Sequence, residues 1–354
     1  MSNMHILGRR QIIWWRPDLL RSWVGSGLAM ATTLVGLAAV TFVIGRFLPT
    51  DPVLAAIGDH ATAELYDQTR VAMGLDKPIL LQFWIYLTRL IQGDLGQSIM
   101  TGQPVLRDLL AFFPATFELA TAALAIGILV GVPLGLTAGH QQGRALDHII
   151  RVVALTGYSV PVFWFGLVGL VFFYVKLDLL PGPGRIDVAY EYVIEPKTGL
   201  ILIDTLLAGD LEAFRDALAH LILPASILGY YCVSYITRMT RAFTIDVLHQ
   251  EFIVTARIKG ASEARVLWAH VLPAISGPLI TVLALAYAHL LEGAVLTETV
   301  FAWPGLGLYI TNALFNADLN AVLGGTLVVG IAFLLLNNGT EALQRRLDPR
   351  ARQS

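Results

Sequence analysis

Six long apolar segments restrict this chain more than any other feature of its sequence. Each has roughly 20 residues, the length of an α-helix that crosses the ~30 Å hydrocarbon core of a bilayer. Charged residues make up 14% of the 354 residues and apolar residues 56%, whereas soluble domains carry about 25% charged residues. Because lipid cannot pair with backbone polar groups, such segments must be helical. We therefore predict an all-α integral membrane protein with six transmembrane helices, at residues 25–45, 119–139, 152–175, 221–237, 274–297 and 321–340.

The connections between these segments orient the chain. Lysine and arginine are denser in the termini and in the loops on their side than in the two long loops on the opposite side. The positive-inside rule therefore predicts that both termini lie in the cytoplasm. The predicted regions are an interfacial arm (1–24), the first span (25–47), an outer segment (48–112) and a core (113–354) with a second outer segment (176–217), a cytoplasmic loop (238–272) and a cytoplasmic tail (341–354).

Small residues recur at every fourth position of the second segment. Gly127, Gly131, Gly135 and Gly139 form a ridge on one helix face. Lipid provides no hydrophobic drive for helices to associate, and such ridges instead allow close backbone contact. We predict that this ridge packs against a neighbouring helix.

Prolines interrupt several segments. Pro161 predicts a kink or a break in the third segment, because proline removes a helical hydrogen bond. Pro133 and Pro224 act either as hinges or as static kinks that neighbouring helices accommodate.

The stretch 251–273 is strongly charged, although it lies between two apolar segments. Its two halves have helical spacing, and Gly260 stands between them, where a turn requires a residue without a Cβ. Ala256 and Gly260 are small and four positions apart, which allows another protein to approach the backbone closely. We predict a short helix-turn-helix that projects into water and is docked upon. The two predicted faces are Phe252, Ala256 and Lys259, and an apolar stripe of Ala264, Leu267, Trp268 and Val271.

The chain lacks the motifs of a self-sufficient enzyme. No G-x-x-x-x-G-K-[ST] phosphate loop, H-E-x-x-H or G-x-S-x-G sequence occurs. The single cysteine, Cys232, cannot form an internal disulfide, and the eight histidines lack metal-ligand spacing. We predict no catalytic residue, no metal site and no nucleic-acid partner, although the net charge of −2 does not bear on nucleic-acid binding, because the charges are distributed by side of the membrane rather than in patches. Energy for active transport would have to come from another chain. The charged stretch 251–273 is the obvious place for that chain to bind.

Two ionisable residues lie within the fifth segment. His289 and Glu292 are three positions apart and share a helix face. Ionisable groups in a span are costly and therefore candidates for function. Two interpretations stay open: the pair lines a translocation cavity in which Glu292 meets a substrate amino group, or it is a polar pair packed between helices. Glu118 and Glu298 lie near the outer ends of their segments, where we expect interfacial anchoring.

A turn-rich motif precedes the last segment. Pro304, Gly305 and Gly307 combine a rigid kink with flexible backbone at the predicted outer mouth. An outer gate and a simple re-entrant turn explain this motif about equally well.

The stretch 251–273 resembles the cytoplasmic loop of ATP-binding-cassette (ABC) importer permeases. The pattern of that loop is E-A-A, three residues, Gly, nine residues, Ile, one residue, Leu-Pro. Four positions match it, Ala256, Gly260, Leu272 and Pro273, and three depart from it, Val254, Thr255 and His270. The sequence T-A-R-x-K-G at 255–260 is similar to the version found in peptide and nickel permeases.

Further motifs extend this resemblance over nearly the whole chain. Asp51-Pro52, G-L-D-K-P at 74–78 and G-D-L-G at 93–96 are similar to the periplasmic region of the B-type permease subunit of dipeptide, oligopeptide and nickel importers. Motifs at 155–166, 238–241 and 296–307 continue the similarity in order. The insert at 198–225 is most similar to the dipeptide branch.

The resemblance implies a type I ABC-importer permease fold in the bacterial inner membrane, with cytoplasmic termini and a path for dipeptides or short peptides. It implies four partner chains: a second, homologous (C-type) permease subunit, two cytoplasmic ATPase subunits and a periplasmic substrate-binding protein. ATP and Mg²⁺ would be held by the ATPases, and this chain would bind no cofactor. The residues expected to couple to the ATPases are Thr255, Ala256, Arg257, Lys259, Gly260, Glu263 and Arg265.

Other functions remain open at the level of the sequence. The same architecture could carry a longer oligopeptide, glutathione, haem or a nickel complex. A self-sufficient channel or ion-coupled carrier would need an intramembrane ion site or a duplicated half, and no internal repeat is evident. A membrane enzyme or scaffold is a third class, for which the sequence offers no catalytic constellation.

Overall fold

The computed structural model describes residues 17–47, 51–58 and 61–347. The predicted arm up to residue 16 and the end of the predicted tail, residues 348–354, lie outside the described residues. The helices in chain order are α1 (Pro17–Phe47), α2 (Pro52–Ile57), α3 (Ala63–Ala72), α4 (Ile79–Ile91), α5 (Val105–Ile126), α6 (Val132–His140), α7 (Ala145–Ser159), α8 (Val162–Gly169), α9 (Val188–Glu191), α10 (Ile201–Ala208), α11 (Leu211–Leu248), α12 (Glu251–Ile258), α13 (Glu263–Arg265), α14 (Leu272–Val300), α15 (Leu306–Phe315) and α16 (Leu319–Leu347).

Five helical stretches of the described residues are long and apolar enough to cross a membrane, and a bent pair adds a sixth if it is counted as one span. Several stretches overrun the predicted apolar segments. Helix α11 has 38 residues, about 57 Å at 1.5 Å per residue, and so extends well beyond ~30 Å of hydrocarbon. The five stretches are Gly27–Gly45, Val105–His140, Leu211–Leu248, Glu263–Leu291 and Leu319–Thr340.

The bent pair lies in the third predicted segment. Helix α7 and the helical stretch Val162–Lys176 meet at 98°. Val160 has an extended backbone (ψ 132°) immediately before Pro161, as expected because the proline ring disfavours a helical conformation at the preceding residue. The discontinuity predicted at Pro161 is therefore confirmed.

Short π-helical turns let some helices continue past a proline. The turn Gly127–Gly131 joins α5 to α6, and the turn Val266–Val271 joins α13 to α14. Pro133 and Pro273 each stand second in the helix that follows such a turn. A proline has no N–H and its ring clashes with the carbonyl four residues earlier, a conflict that the wider π turn relieves. Pro133 thus lies within one continuous helical stretch.

The glycine ridge packs as predicted. All four glycines are buried against α11. A Cβ at Gly135 would lie 2.5 Å from Thr240 Cβ and 2.8 Å from the carbonyl oxygen of Thr237. The residues of α11 that face the ridge also recur at every fourth position: Cys232, Ile236, Thr240 and Thr244. Helix α11 thereby lies at the centre of the bundle, in a buried core shared with α5 and α14.

A second, smaller core joins α5, α15 and α16 at the opposite end of the bundle from α12. Helix α1 packs along α16, where Leu37 reaches Gly330. On its other side, Phe42 of α1 stacks on Tyr86 of α4 with ring centroids 6.0 Å apart. The first outer segment is therefore attached to the first span.

Candidate functional site

The charged stretch after α11 forms a helical hairpin, as predicted. Helix α12 ends at Ile258, and Gly260 adopts a φ of +85°, a conformation that other residues rarely tolerate. The amide of Ala261 donates to the carbonyl of Ala256 at 3.1 Å and closes the turn. The Ser262 hydroxyl then accepts the amide of Arg265 at 3.4 Å and caps α13.

An ion pair crosses the hairpin. The Arg257 guanidinium donates from Nε and Nη2 to the two carboxylate oxygens of Glu263, at 3.0 Å each. Both side chains are exposed, so the pair adds little stability, but its two-pronged geometry fixes the angle of the turn. Glu263 also lies 3.6 Å from Nδ1 of His140 at the end of α6. The hairpin is therefore tied to the second span as well as to α11 and α14.

All seven residues predicted to couple to a partner lie on this hairpin, and six of them are exposed. Ala256 is half-buried. The sequence analysis missed the apolar face of α12. Ile258 is 81% exposed, Val254, one turn earlier, is 49% exposed, and Phe252 is 44% exposed, whereas Ile253 is fully buried and anchors the helix. Large apolar side chains exposed beside charged ones mark a docking surface. The sequence signal for this surface is the pair of β-branched residues Val254 and Ile258, which stand four positions apart.

The apolar stripe predicted for the second half of the hairpin is wrong at two of its four positions, since Leu267 is half-buried against the core and Val271 is buried. Ala264 and Trp268 are exposed, whereas Val266, Val271 and Ile275 are buried. The prediction assumed a helical repeat of 3.6 residues, but in the π turn Val266 and Val271, five positions apart, share the buried face. Val266, which a repeat of 3.6 residues places away from the stripe, is therefore buried.

The loop 301–305 between α14 and α15, called the outer loop after its predicted position, is tightly packed. Trp303 is fully buried, and its indole N–H donates to the carbonyl of Ala115 at 2.9 Å. A Cβ at Gly305 would collide with the carboxylate of Glu298, and one at Gly307 would lie 2.5 Å from Cα of Val295. Glycine is thus required at both positions, because a Cβ would prevent the backbone from lying this close to α14. The flexible backbone expected after Pro304 is not what the structure shows.

Glu298 organises this loop, so the expectation that it anchors the chain at the membrane interface is wrong. Its carboxylate is fully buried. It accepts the Thr116 hydroxyl at 2.6 Å and the amide of Leu308 at 3.0 Å. The same hydroxyl accepts the amide of Leu306 at 2.8 Å. A buried carboxylate requires such partners, and here they come from α5 and from the first turn of α15.

Glu118 is likewise buried rather than interfacial. Arg185, in the second outer segment, donates to its carboxylate from Nη2 at 2.6 Å and from Nε at 3.1 Å. The guanidinium of Arg185 also lies over the ring of Trp303, 5.7 Å from its centroid. In addition, the amide of Gly184 donates to the carbonyl of Phe301 at 2.8 Å. The second outer segment is therefore fastened directly to the outer loop.

We expect Arg185→Ala to destabilise the protein by about 3 kcal/mol, because it leaves the buried Glu118 carboxylate without its counter-ion. Thermal unfolding of the purified protein measures the change. Arg107→Ala is the matched control, since the exposed Arg107 guanidinium donates to Gln103 at 3.0 Å and its loss should change stability by less than about 1 kcal/mol. Equal destabilisation by the two variants would contradict the assignment.

His289 lies on an exposed strip of α14. Leu285 and Leu296, on the same face, are also exposed. Glu292 is part of the helix, but its side chain lies outside the described residues. The predicted cavity role of the two residues therefore stays a prediction.

Comparison with known families identifies the chain. The model of the family described as binding-protein-dependent transport system inner membrane component matches residues 131–353, more than half of the sequence. The chain belongs to this family. A second model, for the N-terminal part of such membrane components, matches residues 19–120. This second match includes the outer segment with the Asp51-Pro52 motif.

Curated members of the family are similar over nearly their full length. The probable D,D-dipeptide transport system permease protein DdpB of Escherichia coli K12 is 42% identical over 323 residues, which cover 91% of this chain and 94% of that protein. The di/tripeptide transport system permease protein DppB of Pseudomonas aeruginosa is 40% identical, covering 90% and 95%. These relatives confirm the resemblance to the dipeptide branch. They are named as permeases, membrane components of transporters rather than enzymes.

A solved structure shares the fold. The MetNI methionine ABC transporter, in inward-facing conformations, aligns with a TM-score of 0.50 and 15% identity, covering 68% of this chain and 96% of that chain. At this identity the likeness concerns the fold alone. The inner membrane component is thus an all-helical, multi-pass chain with the fold of an ABC permease.

Proposed function

We propose that this chain forms half of the substrate path of an ATP-driven importer in the bacterial inner membrane, and that a second, homologous permease subunit forms the other half. The observation that carries the proposal is the exposed apolar face of α12 beside the Gly260 turn. Its residues, Val254 and Ile258, project from the end of the bundle among charged side chains. Two cytoplasmic ATPases dock on this hairpin and on that of the second subunit. Both termini then lie in the cytoplasm.

Coupling follows from the continuity of one helix. From Glu263 to Val300 the chain is helical without interruption, a rod of about 57 Å at 1.5 Å per residue. Its cytoplasmic end carries the ion pair to Arg257, and its outer end carries Glu298, which holds the outer loop through the amide of Leu308. A displacement of the hairpin therefore reaches the outer loop as a rigid-body movement.

In this scheme ATP and Mg²⁺ are bound by the ATPase subunits. ATP binding closes the ATPase pair, moves the hairpins and opens the path outward, and hydrolysis resets the path inward. Pro304, Gly305 and Gly307 form the outer gate, which moves as the packed unit held by Glu298. The exposed strip of α14 with His289 faces the second permease subunit across the path, and we assign Glu292, three positions further along the same helix, to this path as well, because ionisable residues in a span require cover from lipid.

The proposed substrates are dipeptides or short peptides. The relatives in Escherichia coli and Pseudomonas aeruginosa are named for dipeptide and di/tripeptide transport, and they cover nearly the whole chain. A periplasmic substrate-binding protein delivers the peptide to the outer loop and the second outer segment, which are fastened together through Arg185.

Uptake in proteoliposomes tests the proposal. The complex is purified from its native membranes through a tag on this chain, and a labelled dipeptide is presented with the binding protein. We expect uptake of the labelled dipeptide to require ATP on the side of the membrane where the hairpin lies. Unlabelled dipeptides should suppress this uptake. Suppression by glutathione, haem or a nickel complex but not by dipeptides would assign another solute. Uptake by this chain alone, without ATP, would contradict the importer mechanism.

A further inference from the structure

A cleft on the outside of the bundle has no part in the coupling described above. It lies between α7 and α11 and has a volume of about 510 Å³. The two helices run antiparallel here, since Asp147 pairs with Arg241 at one end and Gly157 meets Ser234 at the other. Along α7 the cleft extends from His148 to Tyr158, a rise of about 15 Å along the helix. This length matches the hydrocarbon depth of one leaflet, half of ~30 Å.

The cleft is basic at one end and apolar at the other. His148, Arg151 and Arg241 line the end near the α6–α7 loop, and Arg238 extends from farther along the cleft to the ring of Tyr158. The opposite end is lined by Val152 and by Leu155, whose side chain is 65% exposed. Such a division suits a molecule with an anionic head and an apolar tail.

The carboxylate in this region does not neutralise the basic end. Asp147 accepts Nε and Nη2 of Arg241 at 2.6 and 2.8 Å, and Arg151 lies 3.8 Å from the same carboxylate with its side chain half exposed. Arg238 lies over the rings of Tyr158 and Tyr235, 5.2 and 5.9 Å from their centroids. It forms no ion pair with any described residue. One carboxylate thus pairs with two of the three guanidinium groups, closely with Arg241 and more distantly with Arg151. Arg151 and Arg238 therefore remain available to an anion.

We propose that this cleft binds an anionic phospholipid of the cytoplasmic leaflet. The phosphate lies between the guanidinium groups of Arg151 and Arg238, and an acyl chain follows Val152 and Leu155 toward the bilayer centre. A free phosphate ion would satisfy the arginines but leave the apolar half of the cleft uncovered. The assignment rests on the proposed orientation, which places the basic end at the cytoplasmic surface, where basic pockets between spans meet anionic head groups.

Native mass spectrometry of the complete transporter complex tests the assignment, with phosphatidylglycerol titrated into phosphatidylcholine nanodiscs without ATP or peptide. We expect the double variant Arg151→Gln, Arg238→Gln to bind phosphatidylglycerol about thirtyfold more weakly, since each arginine near the head group contributes about 1 kcal/mol and about 1.4 kcal/mol corresponds to a factor of ten. Arg144→Gln is the matched control, because Arg144 lies at the same end of α7 but outside the cleft. Leu155→Trp fills the apolar half without changing charge and should weaken binding similarly.

Three results would overturn the proposal. Equal lipid retention by the double variant and by Arg144→Gln would show that the cleft is not the site. Displacement of phosphatidylglycerol by millimolar inorganic phosphate would assign a free anion instead. Cross-linking of Leu155→Cys to the second permease subunit would show that protein covers the cleft. Because lipid binding is scored without transport, failure here leaves the importer proposal to its own test.

Discussion

Replacing Gly260 with valine is expected to release the ATPase subunits from the complex and to lower ATP-driven uptake more than tenfold. Gly260 has a φ of +85°, and an L residue in the left-handed region costs roughly 1–2 kcal/mol, with β-branched side chains at the high end. A Cβ at this position meets no atom of the described residues beyond its chain neighbours within 4 Å. The added bulk therefore projects onto the surface that we assign to the ATPase. Co-purification of the ATPases through a tag on this chain measures the effect.

Gly143→Val separates docking from backbone strain. Gly143 has a φ of +77°, and a Cβ there also meets nothing within 4 Å. It lies in the α6–α7 loop, at the same end of the bundle but outside the hairpin. We expect this variant to lose a similar amount of stability while retaining the ATPases. If both variants release the ATPases equally, strain rather than docking explains the loss.

The second large effect is expected for Gly135→Leu, which should prevent assembly of the bundle. A Cβ at Gly135 would lie 2.8 Å from the backbone oxygen of Thr237, and a backbone atom cannot move aside as a flexible side chain can. Helix α11 would have to separate from α6 along the whole ridge, with loss of packing in the central core. Overpacking of this kind costs at least about 1–3 kcal/mol, and leucine adds three more carbons. The yield of monodisperse protein in size-exclusion chromatography measures the outcome.

Gly36→Leu is the matched control for the ridge. Gly36 lies within the candidate span of α1, and a Cβ there meets no described atom within 4 Å. The same substitution at this position should leave the yield unchanged. Comparable loss from both variants would show that leucine is tolerated poorly in any span, and that the ridge is not the cause.

The sequence allowed these two features to be predicted because each depends on local chemistry. Gly260 stands between two helical halves, where the chain must reverse, and the ridge of glycines has a strict four-residue spacing. The break at Pro161 follows similarly from the missing amide and the restriction on Val160. All three conclusions need only neighbouring residues.

Features that depend on tertiary context could not be predicted. The π turn at Val266–Val271 changes the helical repeat. Pro273 is the one local feature of the sequence that points to this turn. Glu298 and Glu118 looked interfacial because they lie near segment ends. Their burial depends on Thr116 and Arg185, which are 182 and 67 positions away in the sequence. The 98° angle between the two helical stretches at Pro161 could not be predicted either. A proline predicts that a helix is interrupted, but not the angle at which the chain continues.

The most direct test of the coupling account is thiol cross-linking from the tip of α12. The chain has one cysteine, Cys232, which is buried, so the Ile258→Cys variant presents one accessible thiol in the described residues. With a short bifunctional thiol reagent applied to the intact complex, the account predicts a covalent product that contains an ATPase subunit, whereas Val193→Cys in the second outer segment gives none. A variant at Ile258 that forms no such product, or that reacts with a membrane-impermeant reagent from outside intact cells, would contradict the account.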